Sequence, residues 1–554
     1  MRFWKILVPV AVVAALLGWA YGERKAVLVT VLGTVQKWRS AIAETQPVDW
    51  EAGPQTADAS PSQRPPNVIV ILADDLGFND ISFYGGGAGG GTVKTPHIDA
   101  IARQGVSFTN GYAGNAVCAP SRAMILTGRY STRFGFEYTP APDMMVKIMR
   151  VLFDGEDYLH PPLMTDQPAG TDALPFDERG MPPSETTMAE VFKKAGYHTL
   201  HIGKWHLGRT ADYRARAQGF DESLMMESGL YLPVDDPGVV NAPQDDIPID
   251  KAQWAILDHA VSFNDGGWFR PDGYLTDYFT DQAVAAITAN RNRPFFLYLA
   301  HWGVHTPLQA AREDYEALSH IEDHTHRVYA AMIRALDRGV GKVLATLEEQ
   351  GLADNTLVIF TSDNGGADYI NLADINRPYR GWKLTLFEGG THVPFFMRWP
   401  AGLPQGARYD HPVSHLDILP TAAAAAGLDG WADKAIDGAD LLAYVSGAKQ
   451  GAPHDHIIWR EGYYQAIRQG AWKMQVSDNP AKVWLYNLAL DPTEQTNLAD
   501  QTPAKVEELQ ALLEAHNAEQ APPAWPSLVE LPIYIDQPQG ADHKPGDDYI
   551  YWPN

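Results

Sequence analysis

At 554 residues, 45% apolar and 20% charged, the chain has a globular composition and exceeds one ordinary core, so a large domain with a smaller companion is expected. A net charge of −25, with no Lys/Arg-rich stretch in the folded region, excludes nucleic acid as a partner and leaves any anionic substrate to a local cluster of cations. The single cysteine, Cys118, excludes an intrachain disulfide framework, a cysteine-rich zinc or iron–sulfur site, and lipid modification at the N-terminus.

The first 43 residues read as a signal peptide or membrane anchor region. Arg2 and Lys5 precede an apolar run at 6–20, the shape of an export signal. That run is short of the ~20 residues a spanning helix needs, although Phe3, Trp4 and Tyr21 lengthen it. Cleaved signal and retained anchor both fit, and either directs the protein to the periplasm or the extracellular space. A second apolar stretch, 26–35, is too short to span alone. Residues 44–66, rich in Pro, Ala and polar side chains, read as a flexible linker.

From residue 67 to 425 the pattern is α/β. Apolar runs suited to buried parallel strands recur at 68–73, 198–202, 295–300 and 357–361, with helical patterns at 187–195, 276–289 and 328–350. The alternation predicts a mostly parallel sheet with helices on both faces. Residues 139–183 and 228–272, rich in Pro, Asp and Gly, read as insertions that cover or shape a pocket. Residues 426–520 read as a smaller α+β subdomain, with short antiparallel strands near 457–459, 464–468, 472–474 and 484–487 and a helix at 503–518. The tail, 521–554, reads as irregular.

Ligands of open α/β sheets bind beyond the carboxyl ends of the strands, and each predicted strand delivers reactive side chains there. The first ends in Asp74 and Asp75, the second in Lys204 and His206; the third leads to His305 and the fourth to Asp363 and Asn364. Three carboxylates and an amide make an all-oxygen site, suited to Ca²⁺ or Mg²⁺ rather than Zn²⁺. Alone, each pair reads as a cap or turn; together they favour the metal. Pro120 fits the first position of a helix, which puts Cys118 at its N-terminus, where an anion is favoured. Arg122, one turn in, has no packing explanation. Lys204, His206 and Lys383 taken singly read as surface cations and a core histidine. His301 and His305 have the spacing of a zinc pair but no third nitrogen ligand, and His198, His201, His324 and His326 have no nameable partner.

The segment C-A-P-S-R-A-M-I-L-T-G at 118–128 and G-Y-H-T-L-H-I-G-K-W-H at 196–206 resemble the two signatures of the type I, formylglycine-dependent sulfatases. L-A-D-D-L-G at 72–77, K-T-P-H-I-D at 94–99, V-H-T-P-L at 304–308, S-D-N-G-G at 362–366 and R-G-W-K…E-G-G between 380 and 390 extend the likeness. It runs from about residue 67 to 518 and is strongest toward arylsulfatases and N-acetylgalactosamine-4-sulfatases. The resemblance implies an alkaline-phosphatase-like α/β fold with a C-terminal subdomain. It implies calcium between Asp74, Asp75, Asp363, Asn364 and a modified Cys118, and Arg122, Lys204, His206, His305 and Lys383 around the sulfate.

The implied chemistry starts from Cys118 oxidised to formylglycine (3-oxoalanine) by a maturation enzyme. One hydroxyl of its hydrate attacks sulfur while calcium, Lys204 and Lys383 neutralise the sulfate oxygens. His305, with Lys383, protonates the leaving alcohol, and His206 takes the proton of the second hydroxyl as sulfate departs. Arg122 orients the hydrate. The substrate is a sulfated small molecule or glycan, and the two insertions leave its identity open. Two other readings stand beside this one. A phosphodiester or phosphonate monoester hydrolase of the same fold would use a similar oxyanion site. A non-catalytic binder of sulfated glycans would keep Cys118 as a thiol.

Overall fold

The computed structural model describes residues 24–155, 157–164 and 174–554. The apolar run 6–20, on which the export reading rests, lies outside the described residues.

A nine-stranded sheet forms the centre of the molecule. From edge to edge it runs Ala407–Tyr409, Val106–Phe108, Phe395–Arg398, Thr356–Ser362, Asn67–Ala73, Phe295–Ala300, His198–Gly203, Glu222–Gly229 and His259–Phe263. Asn67–Ala73 pairs in parallel with Thr356–Ser362 on one side and Phe295–Ala300 on the other. Antiparallel pairing is confined to Phe395–Arg398 and to the His259–Phe263 edge.

The period-2 alternation of the central strand divides its side chains between two cores. Ile69 and Ile71 pack with Leu336 and Val340 of the helix His324–Glu349. Val68, Val70 and Leu72 pack on the opposite face with Ala119, Ala123 and Ile125 of the helix Cys118–Thr127. Both faces are therefore covered, which is why an unbroken apolar run forms this strand. The helices expected at 187–195 and 276–289 are Met188–Lys194, opened by a Thr187/Glu190 capping box, and Leu275–Ala289.

The C-terminal region holds a four-stranded antiparallel sheet, Ile457–Glu461, Tyr464–Gln469, Trp472–Asp478 and Ala481–Asn487. Leu509 and Leu513 of the helix Pro503–Asn517 pack onto it. A buried ion triad ties this sheet to the larger domain: Lys473 Nζ lies 2.8 Å from Glu388 Oε1 and 3.2 Å from Glu494 Oε1.

The structure corrects four expectations. Residues 44–66 are not a free tether. Trp50 is buried edge-on to Phe263 and donates Nε1 to Gln282, while Glu51 N donates to Glu222 Oε1 at 2.9 Å. One aromatic anchor outweighs a linker-like average composition. The tail is not irregular either. Val529–Tyr534 pairs antiparallel with Tyr549–Pro553 and with Leu163–Met164 of the first insertion. Its strands are separated by an Asp/Pro/Gly-rich loop that masks their alternation.

Third, the helix expected to begin at Pro120 begins at Cys118, so Pro120 is its third residue. A proline is accommodated throughout the first turn because those N–H groups have no intrahelical acceptor. Fourth, the histidines without nameable partners find them on distant elements. His198 Nε2 lies 2.8 Å from Glu222 Oε2, His201 Nδ1 lies 2.8 Å from Ser223 Oγ, His324 Nε2 reaches the Asn241 carbonyl, and His326 Nε2 accepts from Gly89 N.

The insertions carry helices of their own, Asp143–Phe153 and Pro248–Ile256, which pack together beneath the N-terminal helix Arg24–Arg39. Among the described residues no helix is long and apolar enough to cross a membrane.

Candidate active site

Beyond the strand ends the backbone hydrogen bonds continue for a few residues, and this places the reactive side chains. Asp363 N donates to the Ala73 carbonyl, His301 N to Leu72, Lys204 N to Ala300 and Asp74 N to Gly303. Gly203 (φ 108°) turns the chain out of its strand; a Cβ there would sit 1.9 Å from the Ala300 oxygen. Gly365 is required in the same way, its Cβ position being 1.9 Å from the Gly389 oxygen. Asp75 (φ 58°) and His206 (φ 62°) are held in left-handed conformations, a strain of roughly 1–3 kcal/mol each of the kind found at functional sites.

All ten residues singled out in the sequence meet here. Cys118 Sγ lies 3.6 Å from Asp74 Oδ1 and 3.9 Å from Asp75 Oδ1. Lys204 Nζ is 2.7 Å from Asp74 Oδ2, and Lys383 Nζ is 2.7 Å from Asp75 Oδ1. Arg122 Nη2 lies 2.9 Å from Asp74 Oδ2 and 2.7 Å from Asp363 Oδ2. Asn364 Nδ2 donates to Asp75 Oδ1 at 2.8 Å, and His305 Nε2 is 3.5 Å from Asp75 Oδ2. His206 lines the same cavity as Cys118, Lys204, His305 and Lys383. Three carboxylates are thus interleaved with three cations in a buried site at the base of a cavity.

Burial, reinforced by the neighbouring Asp363, pushes the Asp74 carboxyl up to about 6. Against its own burial, Asp363 is held below the usual carboxylate range by Arg122 and Lys204. Burial and the Asp363 charge push the Cys118 thiol up, so the encoded side chain is a neutral thiol rather than a thiolate nucleophile. Desolvation followed by the charges of Lys204 and Arg122 holds His206 well below its ordinary value; His305 is lowered by desolvation, Lys383 and Lys204. Both imidazoles are neutral at pH 7. His305 Nδ1–H donates to the Thr306 carbonyl at 2.6 Å, which leaves Nε2 as the atom that exchanges a proton.

The donor set fits a hard cation. Among the described residues, Asp74, Asp75, Cys118 and His305 offer ligand atoms within 4.8 Å of one another. Asn364 Oδ1 is buried beside these carboxylates without a hydrogen-bond partner. An orphaned amide oxygen in an anionic, oxygen-rich site is what a calcium-type ion would satisfy. His301 belongs to no such group; it is buried, both ring nitrogens lack partners, and burial lowers its pKa to about 4.

Three residues not read as functional from the sequence support the site. Tyr369 OH donates to Asp75 Oδ2 at 3.1 Å. Trp302 stacks on His305 at 3.9 Å and lies under the Lys204 ammonium at 4.8 Å. Tyr231 OH donates to the carbonyls of both Trp302 and His305. Only Trp302 carried a signal, its position between His301 and His305; the two tyrosines sit in ordinary apolar contexts.

A family model described as Sulfatase matches residues 66–428. Steryl-sulfatase of Mus musculus is 32% identical over 483 residues, covering 75% of this chain and 72% of that protein. N-acetylgalactosamine-6-sulfatase of Canis lupus familiaris is 31% identical over 426 residues, with coverage of 75% and 72%. Among solved structures, Ps i-CgsB in complex with k-i-k-neocarrahexaose aligns with a TM-score of 0.67 and 31% identity, over 83% of this chain and 95% of that one.

Proposed function

The chain belongs to the sulfatase family and is a sulfuric ester hydrolase, and from that premise we propose that Cys118 acts as formylglycine beside a Ca²⁺ ion held by Asp74, Asp75, Asp363 and Asn364. The observation that carries this reading is the unpartnered Asn364 oxygen among three carboxylates, directly beside a buried cysteine that is a poor nucleophile as a thiol. When present, the hydrated aldehyde would supply the nucleophile and the ion would supply positive charge for the sulfate oxygens.

The remaining work falls to the protein's own side chains. Lys204 and Lys383, each released from one contact with Asp74 or Asp75, bind and neutralise the sulfate. Arg122 holds Asp74 and Asp363 in register and keeps the floor of the site rigid. His305, with Nδ1–H committed to Thr306, takes up a second proton on Nε2 once the negative charge of a sulfate ester enters the site, and delivers that proton to the leaving oxygen. His206, neutral and with Nδ1 unpartnered, accepts a proton on the nucleophile's side. Sulfated small molecules, sterols and glycans all fall within this chemistry, as the names of the relatives suggest.

The test is the mass of the peptide that holds Cys118 in natively produced protein. Conversion of the thiol to an aldehyde on the same carbon removes about 18 Da. Active protein with an intact thiol would refute the reading.

Export forms part of the proposal. Leu28, Val31, Val35 and Trp38 stand exposed along one face of the helix Arg24–Arg39, at the spacing of a single helical stripe. This face and the apolar run 6–20 before it support a protein held at a membrane surface outside the cytoplasm. Recovery in the soluble cytoplasmic fraction would exclude that placement.

A further inference from the structure

The cavity floored by the Cys118 cluster continues as a chamber of about 310 Å³, within the range of small-molecule sites. Its walls come from segments outside the signature motifs. Val146 and Met149 belong to the helix Asp143–Phe153, Ile256 and Leu257 to the end of Pro248–Ile256, and Leu531 and Trp552 to the tail strands. Both insertions and the C-terminal tail thus build one hydrocarbon surface facing the sulfate site.

Most polar side chains of this wall are engaged by the protein through at least one atom. Glu227 accepts from Arg209 at 2.6 Å, from Ser262 at 2.8 Å and from Arg214 at 3.3 Å. Ser228 Oγ accepts from Asp258 N, Gln253 Oε1 from the Thr306 hydroxyl, and Asn554 Oδ1 from Thr139 N. The unpartnered Thr139 Oγ1 is itself buried. A sugar entering this chamber would lose the hydration of a hydroxyl on nearly every carbon against a mainly hydrocarbon wall, with replacement partners for few of them. An apolar alcohol would gain from the same contact.

We propose that the leaving group is a bulky apolar alcohol or phenol, such as a polycyclic ring system, rather than a sugar. This rests on the sulfatase reading of the Cys118 cluster and names the class of ester that site takes. The sulfate sits on the polar floor, and the apolar body fills the space between the two insertion helices and the tail.

The test compares kcat/KM for p-nitrophenyl sulfate, a sterol 3-sulfate and galactose 6-sulfate, together with equilibrium binding of the free sterol and free galactose to the Cys118→Ala protein. The sterol sulfate is expected to exceed galactose 6-sulfate by about 100-fold, chiefly through KM, and only the sterol is expected to bind. Val146→Asn and Leu257→Asn, both at half-buried wall positions, are expected to lower the sterol-to-galactose ratio by about tenfold. Turnover of p-nitrophenyl sulfate with galactose 6-sulfate equal or preferred overturns the apolar assignment and leaves the sulfatase reading standing. Sterol binding to the Cys118→Ala protein with no sulfate ester turned over by the natural one upholds the chamber's assignment and overturns the catalytic reading.

Discussion

Arg122 and Asp363 form a buried pair in which the guanidinium reaches one carboxylate oxygen twice: Nε donates to Oδ2 at 2.9 Å, and Nη2 lies 2.7 Å from the same atom. Nη2 also meets Asp74 Oδ2, and Nη1 donates to the Lys204 carbonyl at 2.9 Å. One side chain therefore links the ends of three strands, Thr356–Ser362, Asn67–Ala73 and His198–Gly203, the last reached across the intervening Phe295–Ala300. The planar fork can do this because its donors point in fixed directions; an ammonium group cannot.

Replacement of Arg122 should accordingly be costly in both stability and activity. Arg122→Ala leaves Asp74 and Asp363 buried and unpaired, and a loss of about 3–5 kcal/mol in urea unfolding is expected. Arg122→Lys keeps the charge but not the fork, so it should recover only part of that stability. Wild-type stability in the alanine variant would show that the pair does not organise the site.

His305 should matter in proportion to the leaving group's need for a proton. His305→Ala is expected to reduce kcat by about 10²–10⁴ for the sulfate of an aliphatic alcohol. For p-nitrophenyl sulfate, whose phenolate leaves unprotonated, the loss should be far smaller. Equal losses for both esters would remove His305 from the role of acid.

Calcium should stabilise the fold through the same carboxylates. Chelation should lower Tm and added Ca²⁺ should restore it, with a gain of about 2.7 kcal/mol at a hundredfold excess over Kd. Asn364→Leu, which removes the orphaned oxygen, should weaken calcium affinity at least about tenfold by calorimetry. Mg²⁺, which sheds its water reluctantly, should restore less.

A pH-dependent contribution should come from His454, far in sequence from the residues proposed to hold calcium. Its Nε2 lies 2.7 Å from Asp417 Oδ1, and although burial opposes protonation, Asp417 raises the imidazole above its ordinary value. A raised folded-state pKa means that the stabilisation is fully present below the unfolded pKa of about 6.5 and is lost as pH rises through the folded value. The stability difference between wild type and His454→Gln should therefore be constant in mild acid and shrink toward alkaline pH. His201 and His415, held near 3 by burial, are neutral in the folded protein over this range; the destabilisation they bring in acid is common to both proteins and cancels in the difference. A difference that grows with pH would reverse the assignment.

Much of this was written in local sequence. The run at 68–73 is apolar at every position, and such a strand has to be covered on both faces. Asp74, Asp75, Lys204, His206, Asp363 and Asn364 each follow a strand end within three residues, so the strand order that brings those ends together also assembles the site. Cys118 and Arg122 lie one helical turn apart, a relation that backbone geometry fixes without tertiary information.

What local sequence could not carry was the identity of distant partners. Trp50 looked like one aromatic in a linker until Gln282 and Phe263 received it. The tail strands looked irregular because the strand they extend, Leu163–Met164, lies more than 350 residues earlier. Tyr231 and Tyr369 had no marking of their own, since their function is where their hydroxyls end. The reactive groups and the sheet that gathers them follow from local sequence, because strand periodicity and residue chemistry are local properties. The apolar wall opposite Cys118 emerges only on folding, because that surface is assembled from two insertions and a tail that meet solely through long-range packing.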